Sequence, residues 1–373
     1  MSESKIRKMI AETFLEAAES LERGETGKRP VIGIAAEGSE HGRENLLRGA
    51  ALAEERGVKA ILLEGEGVHE KMEALLASGE ADAAVTMHYP FPVGVTTIGR
   101  VVSPGRGKAL YLASTTGTSD TERASAMVRN AVAGIIAAKA SGVKEPTVGI
   151  ANIDGARQTE KALLKLAEGG YPIRFAESAR AEGGLVMRGN DLLRGSADVM
   201  VMDSLTGNLL MKLFSAWNTG GDYEATGWGY GPGIGENSEK LVMIVSRASG
   251  APVIAGACEY AAQLVKSGWK KIAAAEYAAA KKAGLEEILR EVKAPKRGGA
   301  AEPEPSVKEP PKEVVTEQIP GIEVMDLEEA VQALWRENIY AESGMGCTGP
   351  IVRISAASRE RAAALLTEKG FIQ

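Results

Sequence analysis

The chain has 373 residues, 44% of them hydrophobic and 25% charged, with a net charge of −6. That balance suits a folded protein of two or three domains and offers no basic surface to nucleic acid. Two cysteines in so long a chain exclude a disulfide framework and fit a reducing compartment. The opening Met-Ser-Glu-Ser-Lys has no apolar signal core, and no apolar run reaches the length of a membrane span. The expectation is a cytoplasmic protein with neither membrane nor nucleic acid as partner.

Ile6, Met9, Ile10, Phe14, Ala17 and Leu21 recur at helical spacing and predict an amphipathic helix at the start. Helix-like and strand-like segments then alternate. Apolar runs at Val31–Ala36, Ala60–Leu63, Ala83–Met87, Lys108–Ala113, Thr147–Ala151, Ile173–Ala176, Asp198–Met202 and Leu241–Val245 read as strands. Periodic segments at Leu46–Arg56, Val68–Ala77, an Ala-rich stretch ending near Ala140, Ala156–Ala167, Thr206–Trp217, Ala257–Lys266 and Ile272–Glu291 read as helices. This order predicts βαβ units: an α/β fold with mostly parallel sheet covered by helices. The strands are continuous apolar runs, as expected where both faces are buried.

Three strand ends exit into polar residues: Ser114–Asp120, Ala151–Gly155 and Asp203–Asn208. A strand leading through hydroxyl or glycine residues into a helix start leaves N–H groups and a positive dipole end for an anion. The same residue types also serve as plain helix caps. Thr219–Asn237 interleaves seven glycines with Tyr223, Trp228 and Tyr230. It matches neither a phosphate loop nor a dinucleotide fingerprint and reads as a mobile lid, a partner-binding loop or an ordinary long connection.

Residues 293–320 are rich in Pro, Glu and Lys and nearly devoid of apolar side chains, which predicts a solvated linker. It separates a body, residues 1–292, from a small C-terminal α/β module, residues 321–373. In the module, helices at Leu327–Glu337 and Ser358–Lys369 and a strand at Ile351–Ser355 flank Ala341–Pro350, Ala-Glu-Ser-Gly-Met-Gly-Cys-Thr-Gly-Pro. Cys347 is the candidate nucleophile. Gly344, Gly346 and Thr348 around it suit a donor-rich turn that stabilises a thiolate or an oxyanion. A buried, inert cysteine in a tight turn fits the same residues. No His/Cys spacing for a metal is present, so no metal is expected. Cys258, in an Ala-rich helix start, reads as core.

Gly-Met-Gly-Cys-Thr-Gly-Pro after a Pro/Glu linker and an α/β body resembles the alpha subunits of component C of glycine/sarcosine/betaine reductase complexes. The stretch from Gly189-Asn190-Asp191-Leu192 through Asp198–Lys212 resembles the phosphate acyltransferases of fatty-acid and phospholipid synthesis and, more distantly, phosphotransacetylase. The resemblance implies an isocitrate-dehydrogenase-like, phosphate-acyltransferase-like body. It also implies an acetyl thioester on Cys347, derived from a carboxymethyl group on selenoprotein component A and released by phosphate as acetyl phosphate. Phosphate would then be a substrate and no cofactor is implied; the component C beta subunit and component A would be partners. Asp203, Thr206, Gly207 and Asn208 would bind phosphate or the oxyanion, with Asn152 and Asp154 as weaker candidates. A phosphate acyltransferase acting on an acyl carrier protein, and a non-catalytic scaffold subunit, are the alternatives.

Overall fold

The computed structural model describes residues 29–35, 37–180, 183–294, 307–323, 326–346 and 349–372. Before residue 29 it describes only positions 7, 10, 11, 14, 15 and 18, all helical and exposed, so most of the expected first helix lies outside the described residues.

The body is an 11-stranded sheet. One parallel half places β2 (Lys59–Leu63), β1 (Val31–Ala35), β3 (Ala83–Thr86) and β11 (Val242–Ile244) side by side. The other half places β5 (Ala109–Thr118), β9 (Val199–Val201), β6 (Thr147–Ala151) and β7 (Arg174–Phe175) in order, with the short β8 (Val186–Met187) also on β6. Two antiparallel strands join the halves: β10 (Gly231–Ile234) pairs with β11 and with β4 (Val95–Val102), which pairs with β5.

Successive side chains of a strand point to opposite faces, and the core follows that rule. Tyr111, Ala113, Val199 and Val201 pack with the helix α3 (Arg123–Ala140) in one cluster. Leu110, Leu112, Met200 and Met202 pack on the other face with Met211. The first face also carries α1 (Gly42–Glu55), α4 (Ala156–Glu168), α7 (Ala251–Ser267), α8 (Trp269–Lys282) and α9 (Leu285–Lys293). The second carries α2 (Val68–Ser78), the short α5 (Gly189–Arg194) and α6 (Ser204–Ala216). α3 is buried nearly all round, which explains why its sequence is Ala-rich rather than amphipathic. Among the described residues no helix is long and apolar enough to cross a membrane.

Several elements differ from expectation. β4 was not anticipated. β5 does not stop at Ala113 but continues to Thr118, because hydroxyls on both strands bond across the β4–β5 pair. The glycine-rich stretch is not a lid: its Gly231–Ile234 segment is a buried central strand. A Cβ on Gly231 would lie 1.7 Å from the Ile98 carbonyl oxygen, and its φ is +90°, so only glycine lets β10 approach β4. The helix expected over Ile272–Glu291 is two helices, broken at Gly284 with φ +93°. α7 begins at Ala251, six residues before the predicted start.

The C-terminal module is a three-stranded antiparallel sheet, β12 (Glu317–Pro320), β14 (Gly349–Ile354) and β13 (Ala341–Gly346), with α10 (Leu327–Arg336) and α11 (Arg359–Glu368). It has its own core, including Ile319, Leu334, Val352 and Leu366. β12 falls inside the segment expected to be linker. The glycine-rich stretch expected as a loop is instead strand on both sides, with Gly344 opposite Ile351 and Gly346 opposite Gly349.

Gly231→Ala should lower the unfolding free energy by about 3 kcal/mol or more, through clash and backbone strain together. Gly170→Ala has a similar φ of +99° but open space around it, and should cost only about 1 kcal/mol. Urea unfolding of the two variants separates clash from strain.

Candidate functional site

The carboxyl end of β5 and the start of α6 meet at a cavity of about 210 Å³. Thr96, Ser114, Ser119, Asp120, Asp203 and Ser204 are among its lining residues. A larger groove of about 740 Å³ continues from it past Thr96 and Ser119 to Tyr89, Phe91 and Tyr277. Two of the three polar strand ends therefore converge on one hollow.

Hydroxyls organise the strand pair behind it. Thr97 Oγ1 lies 2.7 Å from Thr115 Oγ1 and 2.8 Å from Thr116 Oγ1, and accepts from the Thr116 N–H at 2.9 Å. Thr96 Oγ1 bonds Ser114 Oγ. These bonds sit where the β4–β5 register shifts between Thr96 and Ile98. Ser119 Oγ bonds Asn130 Oδ1 at 2.7 Å, and Asn130 Nδ2 donates to the Met202 carbonyl at 3.0 Å. Asn130, 2% exposed, thus ties α3 to the last residue before Asp203.

Three helix starts face this region, and they differ in what occupies their N–H groups. At α3, the Glu122 carboxylate accepts from Ala124 N–H at 3.0 Å and Ser125 N–H at 2.6 Å. At α4, Arg157 N–H donates to the Glu323 carboxylate of the C-terminal module at 3.1 Å. At α6, Asp203 accepts from Thr206 N–H at 2.8 Å and Thr206 Oγ1 at 3.1 Å. The Ser204 and Leu205 N–H groups have no bonding partner among the described residues, and both residues line the cavity. The first turn of α6 thus presents two open donors to the hollow, beside the Arg123 N–H at the start of α3, which also has no partner among the described residues; open donors at helix starts are the arrangement that holds an anion.

Asp120 anchors the opposite wall. Its carboxylate pairs with Lys293 Nζ at 2.7 Å and Arg129 Nε at 3.4 Å and accepts from Glu122 N–H at 3.2 Å. Burial pushes its pKa up, but the Lys293 hydrogen bond and the backbone donors outweigh that, and the net shift is downward. Lys293 is the last residue of α9, so the body ends at the cavity wall.

Asp203 lies in the lining. Thr206, Gly207 and Asn208 lie behind it in supporting positions. A Cβ on Gly207 would stand 1.6 Å from the Ser114 carbonyl oxygen, and Asn208 Nδ2 donates to the Thr115 carbonyl at 3.2 Å. Asp154 pairs with Arg123 at 3.0 Å and does not line the cavity; Asn152 N–H bonds the Met187 carbonyl. Arg123 lines both the cavity and the neighbouring groove where Glu323 meets α4. The module is therefore docked beside the cavity, and Lys161 Nζ adds a bond to the Gly370 carbonyl at 3.3 Å. Gly344 and Gly346 lie in β13; Cys347 and Thr348, between β13 and β14 in the sequence, lie outside the described residues. Thr96, Arg129, Asn130 and Lys293 were not anticipated. The one signal was the Arg129-Asn130 pair midway along an Ala-rich helix.

A family model described as "Fatty acid synthesis protein" matches residues 31–353, spanning the body and most of the module. Over 99% of this chain and the full length of the relative, the sequence is 53% identical to the "Glycine/sarcosine/betaine reductase complex component C subunit alpha" of Peptoclostridium acidaminophilum. The chain belongs to this component C alpha-subunit family. Its body has the mixed, mostly parallel α/β architecture of the phosphate-acyltransferase-like proteins.

The other cysteine of this family member is sealed: Cys258 is fully buried, and burial pushes its thiol up to about 12. In a Cys347→Ala chain, no thiol should react with a disulfide reagent at pH 8 until the protein unfolds; fast reaction of Cys258 would contradict the burial. Asp120→Asn removes a carboxylate whose folded pKa is depressed. Its contribution is present above the ordinary carboxylate pKa of about 4 and is lost as pH falls through the lower folded value. The variant should lose about 2 kcal/mol at pH 7, since both cationic partners are partly exposed, and the gap should close below about pH 4. Urea unfolding across that range reads both.

Proposed function

We propose that this chain is the acetyl-transfer subunit of a glycine/sarcosine/betaine reductase complex, carrying an acetyl thioester on Cys347 that phosphate releases as acetyl phosphate. The observation that carries this reading is the 53% identity to a component C alpha subunit over 99% of the chain, because it takes in both the body and the Cys347 module. The cavity supplies supporting chemistry. A phosphate at the start of α6 meets the Ser204 and Leu205 N–H groups, the positive end of the helix dipole and the hydroxyl residues of the lining.

In the proposed step a phosphate oxygen attacks the thioester carbonyl. Negative charge moves onto the carbonyl oxygen, where N–H donors stabilise it by a few kcal/mol. The C–S bond then breaks, the electron pair leaves with sulfur as the Cys347 thiolate, and acetyl phosphate is the product. Thiolates are good leaving groups as well as good nucleophiles, so the exchange runs in both directions. The component C beta subunit and selenoprotein component A are the proposed partners, and no cofactor is needed for this step.

The family description, a fatty acid synthesis protein, favours a second reading: acyl transfer between phosphate and an acyl carrier protein. Incubation with acetyl phosphate, followed by peptide mass spectrometry, tests the first reading. The expected result is a hydroxylamine-labile acetyl group on Cys347, absent from Cys347→Ala and exchanging with added phosphate. Acyl phosphate formed from long-chain acyl carrier protein while Cys347 stays unmodified would replace the first reading with the second.

A further inference from the structure

β13 is an edge strand of the module sheet, paired on one side only, with β14. Its register sets Met345 opposite Pro350, Ser343 opposite Val352 and Ala341 opposite Ile354. Pro350 has no N–H, so Met345 and Pro350 are not a hydrogen-bonded pair. In an antiparallel ladder such pairs alternate with bonded ones, and their N–H and C=O groups point away from the partner strand. Ala341, Ser343 and Met345 therefore aim their backbone groups at the open edge. The Ala341 carbonyl agrees, because it accepts from Trp335 Nε1 at 2.9 Å. Nothing among the described residues bonds the N–H or C=O of Ser343 or of Met345.

Folded proteins usually guard such an edge with proline, lysine or a very short strand. β12, at the opposite edge of this sheet, is four residues long and ends on Pro320. β13 has neither proline nor lysine. Its one charge, Glu342, is held by Arg353 at 3.0 Å and by the Tyr340 hydroxyl at 2.7 Å. Ser343 is exposed, and the bonds that dock the module on the body come from Glu323 and Gly370, outside β13. Two residues of chain, at most about 7 Å, separate Met345 from Cys347.

We propose that this edge pairs with an extended strand of the partner protein that meets Cys347, a strand bearing a lysine or arginine beside Glu328. The inference rests on the reading above, which makes that partner component A. Donors and acceptors at alternate residues match the backbone of another strand, the mode by which sheet edges take up extended peptides. Glu328 sets the charge: its carboxylate accepts from Ser343 Oγ at 3.1 Å, and Glu329 follows it in the first turn of α10. A cation complements this rim. The same edge of a second copy would bring Glu328 against Glu328, and like charges oppose that pairing. The chain's own linker, with Pro303, Pro305, Pro310 and Pro311, lacks the run of N–H groups a strand needs.

Hydrogen–deuterium exchange of the full-length chain, read by mass spectrometry with and without saturating component A, tests the docking. Ser343 and Met345 should exchange fast in the free chain and about 100-fold more slowly in the complex. Protection already present in the free chain overturns the open edge, and none in the complex overturns the docking. Protection by the component C beta subunit alone overturns the choice of partner. Ser343→Pro removes one outward N–H without touching the β13–β14 ladder. It should weaken the complex about 10-fold with unchanged circular dichroism, while Ser343→Ala should bind like wild type. Equal loss in both variants, or in neither, overturns the main-chain pairing. Glu328→Lys should also weaken binding; an unchanged or tighter complex overturns the cationic residue. The acetyl-phosphate test of Cys347, run on the same samples, separates the two proposals. An acetylated Cys347 beside an unprotected Ser343 overturns the docking alone, and protection without acetylation overturns the thioester reading alone.

Discussion

The distance between one helix and the strand beneath it sets the geometry of the candidate site. α6 starts directly against the Ser114–Thr115 backbone, and position 207 has no room for a side chain. That approach fixes where Asp203 stands and where the first N–H groups of the helix emerge. Asn208 holds the same contact by donating to Thr115, and Asn130 holds it from the opposite face of the sheet through Met202. Gly207 thus acts through packing: it lets the helix dipole end where the hydroxyls of β4 and β5 are.

The three helix starts around the cavity show how similar sequences acquire different roles. Each follows a strand and each has polar residues at its first turn. Glu122 closes the first with its own carboxylate, and Glu323 closes the second from the C-terminal module. At the third, Asp203 takes the Thr206 N–H and leaves those of Ser204 and Leu205 without a partner among the described residues. Capping and anion binding draw on the same few donors, so the residue that takes them decides which outcome a strand end has.

The parallel halves of the sheet were legible because their strands are apolar runs: Val31–Ala35 and Thr147–Ala151 need no partner to be recognised. The joining strands were not. Gly231-Pro232-Gly233-Ile234 has no intrinsic preference for a strand and becomes one only because β4 and β11 flank it, a tertiary effect. The hairpin of β13 and β14 was hidden for the same reason, with Gly344 and Gly346 in one strand and Gly349-Pro350 in the other. At the cavity, Asp203 and Ser114–Asp120 stood out as polar strand ends. Lys293 did not, because its bond to Asp120 joins residues far apart in the chain, and Asn130 looked like one polar residue in an alanine helix.

The bond between Lys293 and Asp120 has a consequence for how far the module can ever be from the cavity. The chain leaves the body at the cavity wall, and the covalent path from Lys293 to the start of β12 at Glu317 extends no more than about 80 Å. The module is thereby confined to a sphere centred on the hollow itself. Confinement to that radius corresponds to a local concentration in the millimolar range, whatever the protein's concentration in solution. Whatever the module bears therefore meets this cavity far more often than the cavity of a neighbouring molecule.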